Sequence, residues 1–330
     1  MIGYSATIRS FAAGLFAIAG LAAATMSSAQ AQAIGLAASN PGSLYHSSAT
    51  AIAKVANDNA GLQATVQPFA SATIYLPAVA AGEYAFGLTN VEELRVAVAG
   101  DRWYEGRKYE DLRAVGIMYP LRNGIFVRAD SDIKSMADLK GKRMVTGFTS
   151  QKTIPPIIDA VLATAGLTQA DIVPVQVPNV VAGANAFVEG KADAFIFAHG
   201  AAKVREADAS VGGIRSLPIP NTPENLATIQ KYFPPAYLKE ETAGKNNPGV
   251  TDPIHVLTYD AVVAASTKTP DDVVYRLVKA MHENKAAMAG VFPVFNLFDP
   301  NRMNSDLSPI QWHPGAVKFY KEAGLWTEMK

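Results

Sequence analysis

The chain has 330 residues, with 29 Lys and Arg set against 29 Asp and Glu, and no cysteine. Balanced charge without a basic tract argues against a nucleic-acid or polyanion partner, and the missing cysteines exclude a disulfide framework or a thiolate metal site. This length usually exceeds one core and points to two domains, while 25 glycines and 20 prolines fit many short elements joined by tight turns.

Residues 1–33 read as an export leader. Arg9 precedes an alanine-rich apolar run from Phe11 to about Ala24, too short to span a bilayer comfortably. Ala29-Gln30-Ala31 and Ala31-Gln32-Ala33 both offer the small-residue pattern of a signal peptidase site, so cleavage is expected near Ala31 or Ala33. The mature chain would start near Ile34 and, having lost Arg9 and no acidic residue, carry one net negative charge. No later stretch is long and apolar enough for a transmembrane helix, and an exported, soluble protein is expected.

From there strands and helices alternate. Ile34–Ser39 is a short apolar strand, followed by a helix from about Ser43 to Asn59 whose Tyr45, Ala49, Ile52, Val55 and Ala56 share one face. Leu62–Phe69 alternates as a strand, Thr73–Ala81 is a helix stopped by Gly82, Tyr84–Leu88 is a strand and Asn90–Ala99 a helix. This βαβαβα order predicts a parallel sheet covered by helices. Leu112–Tyr119 and Gly124–Arg128 are predicted strands that lead out of this first unit.

The most heavily punctuated stretch is Ile133–Gly147. Ser135 and Asp138 spell a capping box, Gly141 suits a left-handed helix exit, and Arg143–Gly147 follows as a buried strand. A helix over Thr153–Ala165 closed by Gly166, a strand at Val173–Val177, a helix at Val180–Glu189 and strands at Ala194–Ala198 and Ile214–Ile219 make a second βα unit. Lys239–Asp252, polar and rich in Pro and Gly, predicts a long surface loop. Ile254–Ala265 is β-rich and returns the chain to the first unit. Thr269 is the expected cap of a long helix, with Pro270 at its first position and Asp271 and Asp272 at the positive end of its dipole. Val274, Leu277, Val278, Met281 and Met288 supply the apolar face of that helix. His313–Ala323 is a last helix ending at Gly324. Two crossings, near 120–124 and 254–259, divide the chain into lobe 1 over 34–122, lobe 2 over 123–257 and a return to lobe 1 over 258–330.

Catalytic signatures are missing. His46, His199, His255, His282 and His313 are scattered without ligand spacing, so no metal is expected. There is no G-x-S-x-G elbow and no Walker loop. The pairs Glu92-Glu93 and Asp271-Asp272 fall in predicted first turns, where the helix dipole accounts for them. The expectation is binding without catalysis and without a cofactor.

In open α/β sheets ligands collect beyond the carboxyl ends of strands, where helix N-termini offer free N–H groups. Three segments fit that place: Ser39-Asn40-Pro41-Gly42-Ser43-Leu44-Tyr45, Leu88-Thr89-Asn90 and Thr149-Ser150-Gln151-Lys152-Thr153. Their hydroxyl and amide groups suit a small polar or anionic solute. Ordinary helix capping accounts for any one of them equally well; three on strand ends facing one cleft make the case for binding. Lys152 and Arg122, the latter at the first crossing, would give a solute carboxylate a charge-assisted bond, the alternative being solvated surface charges. Tyr45, Tyr119 and His199 are candidates for the cleft wall, the core or the rim.

Four segments in order resemble the solute-binding subunits of TRAP transporters, specifically the TAXI group. They are Ser135–Gly147, Glu189-Gly190-Lys191-Ala192-Asp193-Ala194-Phe195, Pro270-Asp271-Asp272-Val273-Val274-Tyr275, and His313-Pro314-Gly315-Ala316. The resemblance implies an α/β protein of the two-lobed periplasmic-binding-protein fold, each lobe a mixed sheet flanked by helices, with two hinge crossings. It further implies a periplasmic monomer that closes on a small organic anion, an amino acid or carboxylate, and delivers it to membrane permease subunits driven by an ion gradient. Two departures fall near the expected cleft. Ala37-Ala38-Ser39-Asn40-Pro41-Gly42 replaces a glycine-rich segment, leaving the backbone less able to wrap a ligand. Pro155 and Pro156 remove N–H donors from a first turn that would otherwise face an anion, a loss for which the charge of Lys152 is expected to compensate. Two other classes stay open: a sensory binding protein presenting its closed form to a receptor kinase, and an enzyme of the same fold acting on an organic acid.

Overall fold

The structure, a computed structural model, describes residues 32–326. The expected leader lies outside the described residues, apart from Gln32 and Ala33, which open the first strand. The chain begins with β1 (Gln32–Ser39), α1 (Leu44–Asn59), β2 (Leu62–Phe69), α2 (Ala72–Ala81), β3 (Phe86–Asn90) and α3 (Val91–Ala99). Here the local signals and the structure agree closely. Ser43 caps α1 by accepting from His46 N, Asn90 caps α3 by accepting from Glu93 N, and Gly82 and Gly100 end α2 and α3 at positive φ. The predicted face of α1 is buried throughout.

β4 (Leu112–Arg128) then runs for 17 residues without a break, where two strands separated near 120–124 were expected. After it come β5 (Arg143–Phe148), α4 (Ile154–Ala163), β6 (Val173–Val177), α5 (Val180–Val188), β7 (Ala194–Ala198), α6 (Ala202–Val211), β8 (Ile214–Ser216), α7 (Pro223–Tyr232), β9 (Tyr237–Glu241) and β10 (Ile254–Ser266). The expected crossings at 120–124 and 254–259 fall inside two strands, β4 and β10, paired antiparallel from Asn123↔Leu257 to Leu112↔Ser266. Pro120, which cannot donate to a ladder, sits opposite Asp260, next to the register shift between Ala261 and Val262. The chain closes with α8 (Asp271–Glu283), α9 (Lys285–Val291) and α10 (Pro314–Glu322).

All ten strands form one sheet, ordered β2-β1-β3-β10-β4-β7-β5-β6, with β8 added to β4 and β9 to β10. β1 is parallel to β2 and β3, and β5 is parallel to β6 and β7. These two parallel triplets flank an antiparallel centre. β3 and β4 each run antiparallel to β10 and so point the same way, whereas β7 runs antiparallel to β4 and points back. The carboxyl ends of the two triplets consequently face each other, which is where such sheets collect ligands.

Several expectations need correction. The turn after Ser135 is a single 3-10 turn, Met136–Leu139, although its capping box is intact and Gly141 has φ 74. Four residues are too few to propagate an α-helix before Gly141 ends it. Thr269 does not cap α8; its hydroxyl donates to Ala85 O at 3.1 Å, and Pro270 occupies the cap position. Met288 belongs to α9, beyond the interruption at Asn284. The predicted loop Lys239–Asp252 begins inside β9, whose last residue, Glu241, is 2% exposed. Helices α6 and α7 were not anticipated.

Two glycines mark close approaches. A Cβ on Gly124 of β4 would lie 2.6 Å from His199 Nε2 and 2.8 Å from Ser216 Oγ. On Gly315 it would lie 2.2 Å from the carbonyl oxygen of Asp271, so the His313-Pro314-Gly315-Ala316 and Pro270-Asp271-Asp272 segments pack directly on one another. His313 joins them: Nδ1 accepts from Gly315 N at 3.2 Å, and Nε2 meets the carbonyls of Ser266 and Thr269 at 3.2 and 3.1 Å. Carbonyls accept, so Nε2 carries the proton and the ring is neutral, in line with burial that lowers its pKa.

Candidate ligand-binding site

A narrow cavity of ≈60 Å³ lies where the two triplets face each other. From the first half it is lined by Ser39 at the end of β1, Ser43 and Tyr45 of α1, and Asn90 between β3 and α3; from the second by Gln151, Thr153, Asn179 and Val181. Leu121 and Asn123 of β4 and Tyr259 of β10 form its floor, and Phe197 and Ala198 of β7 add an apolar patch.

Helix starts dominate this lining. Ser43, Asn90 and Asn179 each accept one N–H of their own helix, at 3.2, 2.9 and 3.0 Å. Gln151 Oε1 accepts Val180 N at 3.1 Å. The remaining first-turn N–H groups of α1 and α5 have no intrahelical acceptor, and each start carries partial positive charge. The Tyr45 hydroxyl is the most telling group. Tyr45 is 8% exposed, burial holds its pKa well above the usual phenol range, and its oxygen has no hydrogen-bond partner among the described residues although Asn90 stands beside it. A buried hydroxyl without a partner costs about 1–3 kcal/mol unless something satisfies it.

Of the sequence candidates, the cavity gathers Ser39, Asn40, Ser43, Tyr45, Asn90, Gln151 and Thr153. The others lie elsewhere. Gly42 has φ 88 and accepts Lys203 N at 3.3 Å through its carbonyl, a contact between the halves. Ser150 accepts Ser71 Oγ at 2.7 Å, and the N–H groups of Thr149 and Ser150 are taken by Val177 and Pro178. Lys152 is exposed and donates to Phe148 O at 3.4 Å. Arg122 is 7% exposed and turns to Glu241, Nη1 meeting both carboxylate oxygens at 2.7 and 2.6 Å. Tyr119 is bonded to Ser48 Oγ at 2.5 Å and packs against Phe295. His199 is buried against Phe126 with Nε2 3.1 Å from Ser216 Oγ; burial and the nearby Arg122 depress its pKa to about 3.

No charged side chain is among the described residues that line the cavity, and no His, Asp or Glu cluster among them has metal-binding geometry. Both expected cations are thus engaged outside it. The residues that sequence reasoning missed include Asn123, Asn179 and Tyr259. Asn179 repeats the signature of Asn90, an amide following a strand and opening a helix, and could have been found by it. Asn123 and Tyr259 sit inside long strands, where nothing local distinguishes a cleft floor from a core.

Among solved structures, the periplasmic binding protein BugD is 12% identical to this chain over 89% of it and 98% of its own length, with a TM-score of 0.58. MatC from Rhodopseudomonas palustris, solved with bound malate, is 12% identical over 80% of this chain and 88% of its own, with a TM-score of 0.55. At such identities the shared property is the fold, the two-lobed α/β architecture of periplasmic binding proteins. The NMT1-like family matches residues 36–324, and this chain belongs to that family.

Proposed function

We propose that the chain is an extracytoplasmic solute-binding protein that encloses a small organic acid between two lobes and hands it to a membrane permease. The TAXI group of TRAP transporters is its proposed class, and export through a leader ending near Ala31 or Ala33 belongs to the same reading. The observation that supports it most is the convergence of helix starts from both halves of the sheet on one cavity with an unpartnered tyrosine hydroxyl.

An acid is favoured over a neutral solute because uncapped N–H groups and positive helix ends suit a carboxylate without a lysine or arginine. Its oxygens would accept from the first turns of α1 and α5, from the amides of Asn90 and Asn179, and from Tyr45 Oη. Malate bound to MatC, a protein of this fold, is in keeping with that chemistry. The lobes are taken as 34–122 with 258–330, and 123–257, hinged where β4 and β10 pass between them. Solute contacts both halves only when they are closed, so its differential affinity shifts the population to the form that a permease would recognise.

A thermal-shift screen of amino acids, monocarboxylates and dicarboxylates, with neutral sugars as controls, tests this reading. An accepted acid at a hundredfold excess over Kd stabilises the fold by about 2.7 kcal/mol, and X-ray scattering shows compaction on its addition. Stabilisation by sugars alone, or an acid that binds without compaction, would sink the proposal.

A further inference from the structure

A second and larger cavity, ≈450 Å³, lies behind the hinge strands. It shares β4 and β10 with the cleft but uses their other face. Tyr259 lines the cleft and its neighbour Asp260 lines the rear cavity, as the alternation of side chains along a strand requires. Its remaining walls come from Tyr237 and Lys239 of β9 and from Leu297, Asp299 and Arg302 in the segment before α10.

The charges around this void are not joined in ion pairs of the kind that Arg122 makes with Glu241 and Arg95 with Glu92. Here the half-buried Asp260 takes a hydrogen bond from Tyr237 Oη at 2.9 Å and forms no ion pair among the described residues. Burial raises its pKa, with Tyr237, Arg302 and Lys239 pulling the other way. Lys239 and Arg302 line the same space, likewise without a carboxylate partner among the described residues. Asp299 is a second acid on the wall, one of its oxygens taken by Asn301 N at 3.0 Å. An anion alone would meet Asp260 and Asp299, and a cation alone would meet two basic groups. A molecule carrying both charges finds a partner for each.

We propose that the rear cavity is a second binding site, for a small zwitterion whose carboxylate lies on Arg302 and Lys239 and whose ammonium lies on Asp260. The exposed side chain of Leu297 offers contact to its aliphatic part. The site is independent of the solute in the cleft and of any transport role.

Titration calorimetry on the whole chain, with γ-aminobutyrate and L-proline as probes and succinate and putrescine as controls, tests it. At least one zwitterion should bind, with affinity falling tenfold or more in Arg302→Ala and in Asp260→Asn and staying within twofold in the cleft variant Gln151→Ala. Arg302 is exposed, so its removal should not disturb folding, and Lys239→Ala provides a second variant. The proposal is overturned if neither zwitterion binds, if binding is lost in Gln151→Ala and unchanged in Arg302→Ala, or if succinate binds there and tightens in Asp260→Asn.

Discussion

Ser71 donates its hydroxyl to the carbonyl of Ser150 at 2.7 Å, joining the start of α2 to the loop after β5. Ser71 stands at the cap position of α2 but makes no side-chain cap there, so its hydrogen bond goes to the other half of the sheet. Lys203 N to Gly42 O at 3.3 Å and Arg102 Nη2 to Tyr232 O at 3.1 Å also run between the halves. A hydrogen bond of this kind contributes about 1 kcal/mol. Ser71→Ala should therefore weaken solute binding about fivefold while leaving the unfolding temperature of the solute-free protein nearly unchanged. An unaltered Kd by calorimetry would remove this bond from the closing motion.

Lys152 and Asn179 separate charge from helix capping. Lys152 is exposed, and its ammonium group faces the Phe148 carbonyl, so Lys152→Ala should leave solute affinity within about twofold, the scale of a surface charge. Asn179 lines the cavity and caps α5. Asn179→Ala should cost about 1 kcal/mol of stability and also weaken solute binding. The reverse ranking by calorimetry would put the solute charge on Lys152 after all.

Glu93 and His199 should impose opposite pH dependences. Glu93 is fully buried; burial pushes its pKa from 4.5 up to about 7, against hydrogen bonds from Tyr104 and Trp103 at 2.7 and 3.0 Å. Its folded form holds a proton that the unfolded chain releases above pH 4.5, so its contribution is complete below that pH and is lost as pH rises towards 7. His199 is depressed from 6.5 to about 3. The unfolded chain takes up a proton below pH 6.5 that the folded ring refuses, so its effect is to lower stability as pH falls. Each slope reaches about 1.4 kcal/mol per pH unit, and between pH 4.5 and 6.5 they oppose each other. Chemical denaturation should give a shallow profile in that window for the parent, stability rising with pH in Glu93→Gln, and falling with pH in His199→Asn. Parallel profiles in all three would refute the assignment.

The parts of this fold that could be read in the sequence are those where a local rule faces no tertiary competitor. Ser43, Asn90 and Gly82 punctuate their helices as they would in isolation, and β2, β6 and β7 keep their predicted limits. The failures come from partners distant in the chain. Thr269 reads as a cap, yet its hydroxyl is claimed by Ala85; the similar Thr222-Pro223-Glu224 does cap α7, with Thr222 accepting Asn225 N at 3.2 Å. β9, Tyr-Leu-Lys-Glu-Glu, is too charged to look like a strand, but pairing with β10 brings Glu241 to Arg122. The resulting Arg122–Glu241 ion pair, between residues 119 positions apart, also removed the arginine that seemed best suited to a solute carboxylate. The cleft was legible from strand ends and helix starts, whereas its charge was not.

Gly315 tests the close approach of α8 and α10 with a single methyl, and Gly290 of α9 is its unobstructed counterpart. The Cβ of an alanine at 315 would fall 2.2 Å from Asp271 O and 2.9 Å from Asp271 C, and backbone atoms cannot swing aside. The start of α10 would have to lift, straining the His313 contacts to Ser266 and Thr269 and the Tyr275–Phe319 ring contact at 5.8 Å. Overpacking of this kind costs about 1–3 kcal/mol, so Gly315→Ala should lower the unfolding temperature by roughly 2–10 °C. Gly290 lies within α9 with nothing within 4 Å of its Cβ position. There the methyl group clashes with nothing and limits the unfolded chain, so Gly290→Ala should stabilise by about 0.5–1 kcal/mol. Calorimetric unfolding of the two variants should thus move in opposite directions; a neutral or stabilising Gly315→Ala would mean that the two segments do not meet backbone to backbone.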